Sequence, residues 1–391
     1  MFDALTPKPA DPLLAIIGMF AADQRSHKID LGVGVYRDMD GVTPVMRTVK
    51  VAEQRLLEQQ TSKSYLGLAG DVGFVDCLGE LAFDSDANWL ARSFGLQTPG
   101  GSGALRLGTE LIHASNPNGK IWLGTPSWGN HAPIFSAVGC EVVYYNYFDV
   151  TTQTLQFESM LDALSDAVAG DVVLLQACCH NPTGADLSLT QWQSISELCC
   201  AKGLVPFIDV AYQGLGVSLE VDLAGVNAML SQVPEALVTV SCSKNFGLYR
   251  ERTGALYVLS ANVTEKANAS SNALALARTN YSMPPDHGAV VVRMILEDPE
   301  LRAQWQQELV QMQGRIKDTR AGLAAALGEG HAYIKQQQGM FSTLNLTPEQ
   351  ILELREDQAI YMAGDGRINV AGFSGDEIAR FAEAVGPLLG S

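Results

Sequence analysis

The chain has 391 residues, too many for one ordinary core, so two domains are expected. Hydrophobic residues at 47% and charged residues at 18% give a globular rather than a disordered balance. A formal charge of -17 argues against nucleic acid and anionic membranes as partners, since both need a basic face. An anionic ligand must therefore be held by a few local arginines. Seven cysteines, with adjacent pairs at Cys178-Cys179 and Cys199-Cys200, suit reduced thiols better than a disulfide framework. They also lack the spaced histidine and cysteine partners of a zinc site. The opening Met-Phe-Asp-Ala-Leu has neither a basic region nor an apolar core, and no apolar run is long enough to span a membrane. A cytoplasmic protein is expected.

Residues 1–10 read as an arm carrying two prolines. Asp11 as N-cap and Pro12 at the first helical position open an apolar helix to about Arg25. In Leu31-Gly32-Val33-Gly34-Val35-Tyr36 the glycines either let backbone approach a ligand closely or interrupt an irregular strand. Val45 to Glu58 predicts a helix with Met46, Val49, Ala52 and Leu56 on one side, followed by the polar-aromatic loop Ser64-Tyr65-Leu66-Gly67.

From about 93 to 260 strand and helix patterns alternate, with strands ending at Gln97, Leu123, Tyr145, Leu175, Ile208 and Val240. That alternation predicts an α/β fold, a mostly parallel sheet covered by helices, with ligands outside the carboxyl ends of the strands. After about 285 the texture changes to a long amphipathic helix, Pro299 to Leu327, then short strands around Met340–Leu344 and Arg367–Val370. A closing helix runs from about Asp376 to Leu389, and a second domain is expected in this region.

Chemistry-bearing residues fall at the strand ends. Gly100-Gly101-Ser102-Gly103 opens a helix, where exposed N–H groups and the helix dipole favour a phosphate. A dinucleotide fingerprint would need a third glycine at 106, where Arg stands. Asp209 closes the run Leu204–Ile208, and a carboxylate buried there is costly unless paired with a cation or strong donors: a protonated pyridine nitrogen would serve, as would a salt bridge to protein. Tyr212 lies three residues on, and Asn181 sits in His-Asn-Pro-Thr-Gly, both able to donate to the same ligand. Trp128 offers a flat face for a ring, and Arg278 and Arg367 suit carboxylates. Lys244 in Ser-Cys-Ser-Lys-Asn-Phe-Gly-Leu-Tyr follows the strand Ala236–Val240. There a lysine near other cations becomes nucleophilic, as a Schiff base with an aldehyde such as pyridoxal phosphate (PLP) requires.

These pieces occur in a fixed order. They run Gly-Val-Gly-Val-Tyr-Arg-Asp (32–38), Ser-Tyr-Leu-Gly (64–67), Thr-Pro-Gly-Gly-Ser-Gly-Ala-Leu-Arg (98–106) and Pro-Ser-Trp-Gly-Asn-His (126–131). Cys-Cys-His-Asn-Pro-Thr-Gly (178–184), Asp-Val-Ala-Tyr-Gln-Gly (209–214), the Lys244 segment and Arg-Ile-Asn-Val-Ala-Gly (367–372) complete them. The set spans nearly the whole chain and resembles the class I, fold type I PLP-dependent aminotransferases, specifically those acting on aspartate and aromatic amino acids. The resemblance implies a large PLP-binding domain of 46–299 and a smaller α/β domain of 11–45 with 300–391, beside the arm 1–10. It implies a homodimer with shared active sites.

By the same resemblance Lys244 is the Schiff-base lysine, Asp209 the partner of the pyridine nitrogen, and Asn181 and Tyr212 donors to the ring oxygen. Gly101, Ser102, Ser241, Ser243 and Arg252 form the phosphate cup, with Tyr65 reaching in from a second subunit. Trp128 stacks on the ring, and His131 supports Asp209. Arg367, with Gly34, Asn181 and Trp128, takes the substrate α-carboxylate. Arg278 is lent by a neighbouring subunit to a distal carboxylate.

Two positions depart from the pattern. Gln176 stands where the family usually has histidine, and Met283 where aspartate-preferring members have asparagine. The expected reaction moves an amino group from aspartate or aromatic amino acids to 2-oxoglutarate in two half-reactions. An aromatic-preferring enzyme with little aspartate activity is the alternative. A PLP lyase or decarboxylase is disfavoured by the arginine pair, and a non-catalytic regulator by the lack of a basic helical segment.

Overall fold

Seven of the chain's apolar runs assemble into one sheet in a computed structural model of the protein, which describes residues 1–8, 12–83 and 87–389. Asp11, the expected N-cap, lies outside the described residues. The chain divides into two units. The first comprises Met1–Thr43, Ile316–Gln336 and Met340–Ser391, the second Pro44–Arg315 with Gln337–Gly339.

The second unit holds strands β1 (Ser93–Pro99), β2 (Lys120–Thr125), β3 (Glu141–Asn146), β4 (Val172–Gln176), β5 (Val205–Val210), β6 (Ala236–Ser241) and β7 (Thr253–Leu259). Their order across the sheet is β1-β7-β6-β5-β4-β2-β3. All pairs are parallel except those of β7, which runs antiparallel to both β1 and β6. The six strands expected from the pattern are present. The seventh, β7, was not anticipated, because no helical stretch separates it from β6. Both β6 and β7 are buried at every residue, which accounts for their largely apolar sequences.

Helices pack on this sheet through apolar stripes. Helix Gly100–Ser115 buries Ala104, Leu105, Leu107, Leu111 and Ile112 in a cluster with Ile121, Phe207 and Leu237. Gly108 permits the close approach, since a Cβ there would lie 2.7 Å from the Phe207 ring. Each such buried side chain contributes roughly 1.5–3 kcal/mol of transfer free energy. Helix Arg47–Gln59 buries Val49, Ala52 and Leu56, with Met46 at its N-cap, the stripe read from the sequence. Helix Leu189–Lys202 starts at a Ser188/Gln191 capping box and stops at Gly203 in the left-handed region. Helix Val263–Asn280 escaped the pattern because only Ala273 and Ala277 of its residues are buried.

The first unit has its own core, including Ile29, Leu31, Leu344, Ile360, Ile368, Phe373 and Phe381. Ile29–Asp30 pairs in parallel with Ile360–Tyr361, and Phe341–Thr343 antiparallel with Arg367–Asn369. The N-terminal helix ends at Ala22, earlier than expected. Lys28 donates to the carbonyls of Phe20 and Asp23 there, and Arg25 turns back onto the Asp23 carboxylate. Helix Pro299–Leu327 has the extent its sequence predicts. Among the described residues no helix is long and apolar enough to cross a membrane.

Candidate active site

Three neighbouring parallel strands carry polar residues at matched heights near their carboxyl ends. Gln176 on β4 is in register with Asp209 on β5, and Asp209 with Thr239 on β6. Asp209 is only 8% exposed, and both its oxygens are held. Thr239 Oγ1 donates to Oδ1 at 3.0 Å, and Oδ2 lies 3.1 Å from Nε2 of the buried His131. His131 Nδ1 lies 2.8 Å from Ser127 Oγ. A carboxylate only accepts, so Nε2 carries the shared proton and Nδ1 accepts from the serine hydroxyl. Among the described residues no lysine or arginine pairs with Asp209; its side-chain partners are Thr239 and His131.

Lys244, half-buried just past the end of β6, holds its Nζ 4.7 Å from the centre of the Tyr212 ring. The Tyr212 hydroxyl accepts from Asn181 Nδ2 at 3.3 Å. Asn181 is buried, and its main chain is clasped by Gln176, whose Oε1 accepts from the Asn181 N–H at 2.8 Å. Gln176 Nε2 donates to the Asn181 carbonyl at 2.9 Å. Lys244, Tyr212 and Asn181 are thus brought together. Gln176, the departure from the family's histidine, holds Asn181 and reaches Ser127 Oγ at 3.4 Å.

The turn carrying Asn181 is tied to a neighbouring carboxylate. Asp186 accepts from the N–H groups of Cys179 and His180 at 2.7 and 2.8 Å. The Asn181-Pro182 bond is cis, and Cys179 occupies the left-handed region at φ 53°. Cys178, Cys179 and Asp222 gather ligand-type atoms within 4.8 Å of one another. Yet the Asp222 oxygens already accept from the N–H groups of Gly214, Gly216 and Val217. The adjacent thiol and burial push the Cys178 thiol well above its usual range, which disfavours the thiolate a metal requires. Asp222 fastens the segment Gly214–Val217.

His180 stacks on Tyr147 at 4.2 Å and bonds Thr183 through Nδ1. Burial, helped by nearby His131, pushes its imidazole down from 6.5 to about 3. Between those values the unfolded chain binds a proton that the folded one refuses, so stability falls as pH drops from 6.5 toward 3. The slope from this one group is about 1.4 kcal/mol per pH unit. His180→Gln should flatten the decline in denaturant midpoint between about pH 6 and pH 4.5. Parallel curves for the two proteins would refute the assignment.

A cup lies at the start of helix Gly100–Ser115, whose first turn has no side-chain cap. Gly100 adopts φ +69°, and a Cβ there would come within 2.6 Å of Arg252 Nη2. A Cβ on Gly101 would lie 3.1 Å from Ser241 Cβ. Ser241 and Ser243 are buried beside one another, with the Ser243 N–H donating to Ser241 Oγ at 3.3 Å. Ser102 sits in that first turn. Unpaired N–H groups, two hydroxyls and a guanidinium around glycines form a cradle for a dianionic phosphate.

Trp128 is half-buried and meets the His131 ring edge-on at 5.1 Å. Tyr65 is 93% exposed, and Arg278, at the exposed end of helix Val263–Asn280, donates to Ser282. Both project to solvent in the single chain. Met283 Sδ accepts from the Leu66 N–H at 2.9 Å, tying the Tyr65 loop down. In the first unit Arg367 is buried; its Nη2 donates to the Gly32 carbonyl at 2.8 Å and its guanidinium lies 4.7 Å from the Phe341 ring. Gly34 faces the same ring, 2.8 Å from where its Cβ would be. Thr239, Asp186 and Phe341 were missed from the sequence, since only register or tertiary packing gives them a role.

Known proteins match this chain along its length. The family model "Aminotransferase class I and II" matches residues 26–385. The chain is 51% identical over 385 residues, 98% of each sequence, to a tyrosine aminotransferase of Rhizobium meliloti (strain 1021). It is 44% identical over 396 residues, the whole of both, to an aspartate aminotransferase of Escherichia coli (strain K12). Among solved structures, an aromatic-amino-acid aminotransferase from Burkholderia pseudomallei, covalently bound to pyridoxal phosphate, superposes with TM-score 0.96. That pair shares 40% identity across the full length of both chains.

Proposed function

The chain belongs to the class I and II aminotransferases, and we propose that it moves amino groups from both aspartate and aromatic amino acids to 2-oxoglutarate, using PLP. The observation that carries this reading is Asp209, a buried carboxylate fixed by Thr239 and His131 with no lysine or arginine beside it among the described residues. Such a group suits a cationic ring nitrogen. The uncapped, glycine-lined cup fits the phosphate of the same cofactor. PLP, when bound, supplies an aldehyde for amines and a ring that takes up the electron pair left by the departing α-proton.

The protein's residues divide the work. Lys244 Nζ would hold the cofactor through its aldehyde and, as a free amine, would serve as the base for the substrate Cα proton. Asp209 supplies the negative charge that keeps the ring nitrogen protonated. Tyr212 and Asn181 donate to the ring oxygen, while Gly101, Ser102, Ser241, Ser243 and Arg252 hold phosphate. Trp128 covers the ring face, and Arg367, beside Gly34 in the first unit, receives the substrate α-carboxylate. The first unit serves as the small domain, the second as the cofactor-binding one. The protein works in the cytoplasm as a homodimer, Tyr65 and Arg278 serving the neighbouring subunit's site. An active monomer in sedimentation at assay concentration would overturn that assembly.

Visible absorbance of the purified protein tests the reading directly. A band should change on adding aspartate and on adding phenylalanine, with 2-oxo acid rather than ammonia or CO₂ as product. A protein without such a band after incubation with PLP would sink the proposal.

Arg278 supplies a charged hydrogen bond for a distal carboxylate, roughly 1.5–3 kcal/mol. Arg278→Ala should lower kcat/KM for aspartate about 10–150-fold. Phenylalanine turnover should change little, since methionine at 283 presents an adaptable apolar wall. Equal losses for the two substrates would mean that Arg278 does not read the side chain.

A further inference from the structure

We propose that Gln176 is a positioning residue that couples the two cofactor-facing groups of the site, setting Asn181 directly and reaching Asp209 through Ser127 and His131. The inference rests on the reading of Asn181 and Asp209 given above. Gln176 is the last residue of β4, so its Cα is fixed by the sheet. Its amide orientation is fixed as well, because the Asn181 N–H can only donate and the Asn181 carbonyl can only accept. Oε1 therefore faces the first at 2.8 Å and Nε2 the second at 2.9 Å.

Two bonds from one side chain to one residue's main chain fix both the height and the tilt of that peptide. The Asn181 side chain, which meets Tyr212 OH, inherits the setting. The second amide hydrogen points toward Ser127 Oγ at 3.4 Å, a longer contact. The same Oγ lies 2.8 Å from His131 Nδ1, and His131 Nε2 meets Asp209. An unbroken chain of polar contacts thus runs from the donor at the ring oxygen to the carboxylate at the ring nitrogen. Asn181 is the strong arm and Ser127 the weak one.

The consequence is a spectroscopic one. A loosened donor leaves the ring oxygen more basic, so the bound chromophore keeps its proton to higher pH. In holoenzyme prepared with PLP, Gln176→Met should raise the pH midpoint of the visible absorbance change by about one pH unit. The Kd for PLP, measured by titrating apoenzyme, should rise at least several-fold. Gln176→Asn, one methylene too short to span both groups, should give the same result in a polar side chain. Asn181→Ala should raise the midpoint too, and Gln176→Met placed on Asn181→Ala should raise it no further.

Should Asn181→Ala leave the midpoint unmoved, Asn181 does not face the ring oxygen, and the inference falls with that reading. If Asn181→Ala moves it while Gln176→Met and Gln176→Asn do not, only the coupling through Gln176 is overturned. A purely structural glutamine would lower Tm and leave the midpoint where it was.

Discussion

Lys244→Ala should fold like the parent protein and lose transamination by at least about 10⁴-fold, the upper end of what one positioned proton-transfer group contributes. The loss is this large because one atom, Nζ, serves both as the attachment point for the cofactor and as the base at Cα. The fold should survive because the turn is anchored by its neighbours. The Asn245 carbonyl accepts from Trp305 Nε1 at 2.8 Å, and Phe246 stacks on Trp305 with ring centres 4.4 Å apart. Among the contacts Lys244 gives up is that over the Tyr212 ring, worth about 0.5–1 kcal/mol for such a cation–π pair. Thermal unfolding should therefore move little while kcat/KM collapses. Substantial turnover in the variant would show that the assignment of Lys244 is wrong.

How much of this was legible in the sequence depends on the range of the interaction. Strand ends mark ligand sites in a parallel sheet, and that local rule alone pointed to Asp209, Lys244 and the glycine cup. Their partners were a different matter. Thr239 faces Asp209 because β5 and β6 are paired in one particular register, and a single threonine inside an apolar strand carries no trace of that. Asp186 looks like a surface acid until the turn folds back and presents the N–H groups of Cys179 and His180 to it. Phe341 supports Arg367 from the strand paired with its own, a contact that only the pairing reveals. The glutamine at 176 was noticed as a departure from the family, but what it grips was not readable, because its target is a backbone rather than a side chain. Strand β7 escaped for a topological reason: it returns antiparallel without the intervening helix that made the other strands countable.

Asp209→Asn should cost about 2.7–4 kcal/mol of catalysis, the typical loss on removing one preorganised electrostatic group from a site. That is roughly 10²–10³-fold in kcat/KM. The change is nearly isosteric, so the polar chain around it can adjust. The new amide oxygen still accepts from Thr239, while its NH₂ faces His131, which answers by moving its proton from Nε2 to Nδ1 and donating to Ser127 Oγ. Shape is kept and only the charge is lost. Without that charge the ring nitrogen has no reason to hold its proton in a buried setting, and the electron pair left on Cα is poorly accommodated. Every amino acid substrate depends on this step, so aspartate and phenylalanine should lose kcat/KM by the same factor. That equality separates Asp209→Asn from Arg278→Ala, where the two substrates part. A variant that retains PLP and stays within tenfold of the parent on both substrates would mean that the Asp209 charge does not act on the ring.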